Sequence, residues 1–304
     1  MKIADSHCDT LTEYKYCQFE SESAHWNLKR FRNIGGALQY MAVFTPPEFA
    51  GDSALRYAFE ILGNYARQKP DEVSTLLSSG GWRDDKLNVI LALEGASPII
   101  NKIENLYAFY ALGVRAMTLT WNHRNFLADG VEGDSGLTAF GLECLKEMET
   151  LSMIVDVSHL NEAGFKDVCR HAEKPFMASH SNSRAIHEHP RNLHDWQIKE
   201  IIERGGFIGI NLFSGFIGPE TENLKERMLR HIERILSLGG ERALGWGADF
   251  DGIQQCPFPD AAAYVELEPM LREQLGLEES VVEGIMYKNL IDFTLKALPG
   301  ASTI

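Results

Sequence analysis

Met1-Lys2-Ile3-Ala4-Asp5-Ser6-His7-Cys8-Asp9 opens the chain with a short apolar run that ends on an imidazole and a carboxylate, one residue apart. Residues two apart in an extended strand project to the same side. His7 and Asp9 are therefore expected to leave a strand end side by side. A nitrogen and an oxygen donor so placed suit a divalent metal such as zinc. A plain polar turn after a strand has the same appearance, so the pair acquires meaning only if the chain supplies partners.

The rest of the chain repeats the pattern. Strands are expected at residues 2–7, 38–44, 88–93, 114–120, 153–158, 175–179, 207–213 and 243–248. The third of these is a nearly continuous apolar run, as in a strand buried on both faces. Helical spacing fills the gaps. Residues 53–68 carry Leu55, Ala58, Phe59, Leu62 and Tyr65 on one face, with Pro70 beyond the end. Further helices are expected at 103–112, at 137–151, from the cap Asn161 to His171, at 195–204 before Gly205-Gly206, and at 224–238. One or two more close the chain over 278–298. Residues 10–36 read as an irregular entrance loop. Strands alternating with helices in this way predict an α/β protein, a (β/α)8 TIM barrel. A doubly wound open sheet is the alternative, but its GxGxxG fingerprint after the first strand is absent. No linker rich in Pro, Gly or Ser divides the chain, so residues 1–304 are expected to form a single barrel domain.

With 304 residues, 44% of them apolar, the chain can bury a full core. It has no apolar run long enough to span a membrane. No cationic and apolar leader precedes His7, and residues 298–304 are too short for a lipid-anchor signal. Cys8, Cys17, Cys144, Cys169 and Cys256 are scattered, odd in number and without a CxxC pair. That argues against a disulfide framework and for a reducing compartment, so a cytoplasmic location is expected. The formal charge of −14 disfavours nucleic acid as a partner.

The ionisable residues fall where strands end. His7 and Asp9 follow the first strand, Glu94 the third, His159 the fifth, His180 the sixth and Asp249 the eighth. In a barrel all those ends lie on one rim, where active sites are built. Each residue alone has an ordinary explanation, such as a hydrogen-bonded core histidine or a loop charge. Together they would be costly at a buried rim unless paired or bound to metal. Three histidines and two carboxylates can hold two Zn2+ ions, His7 and Asp9 on the first, His159 and His180 on the second, with Glu94 bridging. The open positions would take a shared water or hydroxide. Asp249 is not needed as a ligand and can move the proton.

These residues sit in stretches that resemble the membrane dipeptidase (renal dipeptidase) family over most of the chain. The resemblance is carried by Asp5-Ser6-His7-Cys8-Asp9, Leu93-Glu94-Gly95, Leu119-Thr120, Asp156-Val157-Ser158-His159, Ser179-His180-Ser181, Arg191-Asn192 and Gly247-Ala248-Asp249-Phe250-Asp251-Gly252. It implies a (β/α)8 barrel with a binuclear zinc site that hydrolyses dipeptides, tolerates a D-residue at the C-terminal position, and forms a homodimer. The ligand roles carry over to His7, Asp9, Glu94, His159 and His180. The family's arginine eleven residues after the last histidine ligand binds the substrate carboxylate, and Arg191 stands at that offset. A guanidinium fork matches a free carboxylate in two parallel hydrogen bonds.

One departure stands out. The family often has a histidine directly after Leu-Thr at the end of the fourth strand, contacting substrate or the tetrahedral intermediate; in this chain Trp121 holds that position. His123, two residues on, is the candidate replacement. Asp5 is a candidate to orient a ligand imidazole or to cap a turn, and Asp251 to share the work of Asp249. His187, His189 and His194 read as a solvated loop, and Trp246 as core. No GxSxG elbow supports a serine mechanism. Another binuclear amidohydrolase, of deaminase or lactonase type, is the alternative activity. Those usually begin with His-x-His and bridge through a carboxylated lysine, and no lysine of this chain ends a strand at a fitting place.

Overall fold

Nine strands form one sheet, every one parallel to its neighbours: β1 (Ile3–Cys8), β2 (Gly36–Phe44), β3 (Val73–Thr75), β4 (Leu87–Glu94), β5 (Val114–Thr118), β6 (Ile154–Asp156), β7 (Met177–Ala178), β8 (Phe207–Ile210) and β9 (Leu244–Trp246). These come from a computed structural model that describes residues 1–219, 221 and 223–300. The pairing runs from β2 through β1 and β9 down to β4, and β2 pairs with β4 from Leu38↔Asn88 to Phe44↔Glu94. That last ladder closes a ring of eight, the expected (β/α)8 barrel. β3 lies outside the ring against Leu87–Val89 of β4; at three residues it is too short to show a period in sequence.

The alternation along each strand divides the apolar side chains between two clusters. Ala4, Leu38, Tyr40, Ile90, Ala92, Ala116, Ile154, Met177 and Phe207 pack in one cluster with Phe293 and Leu298 of the C-terminal segment. Their neighbours Met41, Val43, Val89, Leu91, Leu93, Met117 and Val155 belong to the larger cluster with the surrounding helices. Both faces of these strands are buried, which is why the runs read as nearly all apolar. Towards the C-terminal strand ends the interior turns small and polar. Ser6 Oγ donates to the carbonyls of Ser179 (2.5 Å) and Trp246 (2.8 Å). A Cβ on Gly247 would fall 1.8 Å from Ser179 O.

β1 departs from plain alternation. Ala4 packs in the first cluster and Cys8 in the second, although a spacing of four should keep them on one face. A register shift between Asp5 and Cys8 supplies the difference, as a bulge does when it re-aims a side chain near an active site. The expected strands 114–120, 153–158, 175–179, 207–213 and 243–248 are each shorter than read. Their last residues have left the ladder to carry site groups.

Asn161 caps Glu162–His171 as expected, accepting from Gly164 N (2.8 Å); the helix expected from 137 starts later, at Ala139, with Thr138 as its cap accepting from Gly141 N (2.9 Å). The entrance stretch is more ordered than expected. It contains Thr10–Glu13 and Leu28–Asn33 as short helices, tied down by Asp251. Asp251 accepts from Thr10 Oγ1 (2.5 Å), His25 N (2.6 Å) and Trp26 N (3.3 Å).

His231, on the helix Leu224–Ser237, is fully buried. Its Nδ1 accepts from Ser183 N (3.0 Å) and its Nε2 donates to Ile217 O (2.9 Å). Burial pushes its pKa from 6.5 down to about 4. Between those values the unfolded chain binds a proton that the folded chain refuses, so acid favours unfolding there. The stabilisation is complete above pH 6.5 and is lost as pH falls to 4, on the order of 3 kcal/mol in all. Urea unfolding of the wild type and of His231→Gln across pH 7 to 4 should show this slope in the wild type and its absence in the variant.

Candidate metal centre

Six ionisable side chains converge at the C-terminal rim, all nearly inaccessible to solvent: His7, Asp9, Glu94, His159, His180 and Asp249. Glu94 ends β4 and spans the group. Its Oε2 lies 3.5 Å from His7 Nε2, and its Oε1 lies 3.1 Å from His159 Nε2 and 3.8 Å from His180 Nε2. His7 Nε2 is also 3.4 Å from Asp9 Oδ2 and 3.7 Å from Asp249 Oδ1. Two overlapping trios bring their donor atoms within 4.8 Å of one another, His7 with Glu94 and His180, and His7 with Asp9 and Asp249. Asp249 thus stands as close to a potential cation as the expected ligands do.

The imidazoles are aimed by their other nitrogens. His159 Nδ1 meets Asn122 Oδ1 at 2.7 Å, and only an N–H can satisfy an amide oxygen. That leaves Nε2 as a lone pair facing the gap. His180 Nδ1 meets Ser179 Oγ at 2.7 Å, and that hydroxyl donates to Asp156 Oδ2. Asp156 is saturated by Thr118 Oγ1 and the Ser158 and Ser179 amides. Its charge therefore faces the back of His180, the arrangement that fixes metal-binding tautomers. The Nε2 atoms of His159 and His180 are 2.9 Å apart. Two lone pairs that close repel unless a proton or a cation sits with them.

The electrostatics carry the same message. Burial, then Arg191 and His7, hold His159 well below the usual histidine range; burial and His7 do so for His180. Burial would also lower His7, but Glu94 and Asp9 outweigh it and push the imidazole well above the usual histidine range. Burial, with Glu94 beside it, pushes Asp9 up to about 7; burial raises Asp249 to about 6. Desolvated carboxylates of one sign are costly, and a cation removes that cost. Buried His7 Nε2 and Asp9 Oδ1 have no hydrogen-bond partner, and both belong to this cage. The residues present fit a bound metal cation.

His159 and Asp249 have positive φ, 66° and 64°, which costs non-glycine residues about 1–3 kcal/mol each. Asn211 Nδ2 donates to Asp249 Oδ2 (2.9 Å) and leaves Oδ1 towards the cage. Gly252 completes the turn. A Cβ there would lie 2.2 Å from Asp9 Oδ2 and 2.7 Å from Asp249 Oδ1.

A cavity of about 480 Å³ opens over the cage, dimensions that suit a small ligand. Asp9, Glu94, His159 and Asp249 form its floor; Phe44, Trp121, Phe213 and Phe216 form much of its walls. Arg191 is buried behind Phe216, its guanidinium 5.2 Å from the ring centre. Nη2 donates to His180 O (3.3 Å), Nε has no partner, and no carboxylate pairs with it among the described residues. Burial pushes its pKa down to about 10, against the pull of Asp249 and Glu94.

The structure does not bring His123 to the site. Its side chain is half exposed, Nδ1 pairs with Glu132 Oε2 at 2.6 Å, and the cavity wall at this point is Trp121 and Asn122. Asp5 bonds no imidazole ring; it takes the other expected role, capping the turn into His7 through the His7 amide. Its carboxylate accepts from the amides of His7 (2.7 Å) and Ala248 (3.1 Å), from Gln39 (3.1 Å) and from Tyr264 Oη, binding β1, β2 and β9 together. Asp251 is committed to the entrance helices. His187, His189 and His194 lie outside the cavity lining, and Trp246 is core, as expected. Asn122, Asn211 and the Asp156–Ser179 pair were not expected. No motif marks an outer-sphere amide, although Ser179 directly follows β7 and Asn211 directly follows β8.

The family model for membrane dipeptidase (peptidase family M19) matches residues 1–297. An uncharacterized protein encoded in the pqqA 5′ region of Klebsiella pneumoniae is 34% identical over 223 residues, 68% of this chain and 81% of that protein. An uncharacterized dipeptidase of Schizosaccharomyces pombe is 31% identical over 217 residues, 68% of this chain but only 52% of its own length. The chain thus spans about half of that relative. A metallo peptidase from Rhodobacter sphaeroides, liganded with a phosphinate mimic of the dipeptide L-Ala-D-Ala, superposes with a TM-score of 0.89 at 24% identity, covering 98% of this chain and 99% of that one. No helix among the described residues is long and apolar enough to cross a membrane. With the barrel, the strand-end cage and the matched model in agreement, the chain belongs to the membrane dipeptidase family, peptidase family M19.

Proposed function

We propose that this protein is a dinuclear zinc dipeptidase. The observation that carries the reading is Glu94, one buried carboxylate reaching His7 with one oxygen and His159 with the other. His7 and Asp9 would hold one ion and His159 and His180 the other, with Glu94 within reach of both. When bound, the ions supply Lewis acidity and an acidified water. The chain's own groups do the rest. Arg191 holds the substrate carboxylate through its unpartnered Nε and so orients the peptide. Asp249 Oδ1 takes the proton from water and returns it to the nitrogen of the breaking C–N bond. Phe213, Phe216 and Trp121 exclude bulk solvent. A C-terminal D-residue is included among the substrates because the Rhodobacter sphaeroides peptidase is liganded with a mimic of one. The five unpaired thiols support a reducing, cytoplasmic setting.

Purified protein with two equivalents of zinc should hydrolyse members of a panel of L,L and L,D dipeptides and lose that activity to a chelator. No cleavage across the panel would end the proposal. Arg191→Met should raise KM by on the order of 100-fold, the effect of leaving a buried ionic partner unmatched, with a smaller change in kcat. Dipeptide amides should be as poor for the wild type as free dipeptides are for the variant. Equal KM values in the two proteins would remove Arg191 from substrate binding.

A further inference from the structure

Glu94 is flanked by two aromatic residues supplied by the neighbouring strands. Phe44, the last residue of β2, is in register with Glu94; Trp121 follows β5, whose Thr118 is in register with Glu94 on the other side. The two rings meet at 5.3 Å and 52°, and Trp121 lies 6.0 Å from the His159 ring. Both are half-buried and both line the cavity. Trp121 is fixed from behind. Asn122 is pinned by His159, Glu132 N donates to Asn122 O (3.1 Å), and Gly130 packs so closely that a Cβ there would lie 2.0 Å from Trp121 O. Around the ring of eight, β8 stands diametrically opposite β4. The segment after β8 supplies a second aromatic pair, Phe213 and Phe216 at 4.8 Å, with Arg191 against Phe216.

We propose that the Phe44–Trp121 wall receives the side chain of the substrate's N-terminal residue and selects large apolar, above all aromatic, residues there. The inference rests on the dipeptidase reading with the carboxylate at Arg191. A dipeptide anchored on the β8 side places its C-terminal residue by Phe213 and Phe216. Its carbonyl then lies over the cage, and its N-terminal residue arrives on the β4 side. Each side chain therefore leaves the backbone beside the wall at its own end of the cavity. A fixed pair of half-exposed rings gains by covering its apolar surface and by edge or offset stacking. A small side chain leaves both rings wet.

The test is two dipeptide series with zinc-loaded enzyme, X-Ala and Ala-X, where X is Gly, Ala, Leu, Phe or Trp. In X-Ala, kcat/KM should rise from Gly to Phe by about 10- to 100-fold, the range apolar pocket contacts supply; Ala-X should change less. Trp121→Ala and, as a milder variant, Phe44→Leu should flatten the X-Ala series about 10-fold while metal content stays at the wild-type value. A flat wild-type X-Ala series, or the same Phe-to-Gly ratio in both variants, would overturn the inference while leaving the dipeptidase reading standing. Failure to cleave any member would instead overturn that reading.

Discussion

Asp249→Asn should retain the fold and two equivalents of metal while losing about 10²- to 10⁴-fold in kcat, the span of a positioned acid–base group. The change is isosteric, and the Asn211 contact can be kept by the new amide oxygen. What disappears is a proton carrier at Oδ1. Burial without a cation raises the Asp249 carboxyl to about 6, and a nearby metal pair would draw it down again, as a base at neutral pH requires. Asp249 also belongs to one of the two donor trios, so the metal count discriminates. Normal metal with lost turnover identifies the proton carrier; loss of one equivalent identifies a ligand and contradicts proton transfer as the role of Asp249.

Glu94→Ala has the second large effect, and it acts on metal before chemistry. Both expected ion positions lose an oxygen at once. Losing an outer-sphere partner can already weaken metal binding by about 10- to 100-fold, so removing a shared ligand should cost at least about 100-fold. Zinc at about 100 times the wild-type Kd should stabilise the wild type by about 2.7 kcal/mol against unfolding, and the variant far less. Without metal the difference between the two proteins should shrink, because no ion is there to lose a ligand. Thermal melts of metal-free and zinc-loaded proteins read both effects. Two equivalents retained in Glu94→Ala would exclude the bridging role.

The parts of this architecture that were legible in the sequence are those with a local signature. A strand buried on both faces announces itself as an apolar run, and the residue that ends it is then a rim residue, which located His7, Asp9, Glu94, His159, His180 and Asp249. Groups whose meaning depends on a distant partner were illegible. In sequence Asp5 reads as the partner of a ligand imidazole or a turn cap, and Asp251 as a helper of Asp249; only their contacts, with Ala248 and Tyr264 in one case and with Thr10 and the His25 amide of the entrance stretch in the other, show them as staples. His123 would share the side of Trp121 only in an extended segment, whereas the chain turns after Thr120 and Glu132 captures the imidazole. The bulge in β1 was invisible as well, because alternation predicts the strand's faces only while the ladder stays in register.

The most direct test is an anomalous difference map collected at the zinc edge from crystals grown with zinc. Two peaks are expected, one on each side of the Glu94 carboxylate, the first beside His7 and Asp9 and the second beside His159 and His180. A single peak, or peaks elsewhere with this cage empty, would contradict the dinuclear centre.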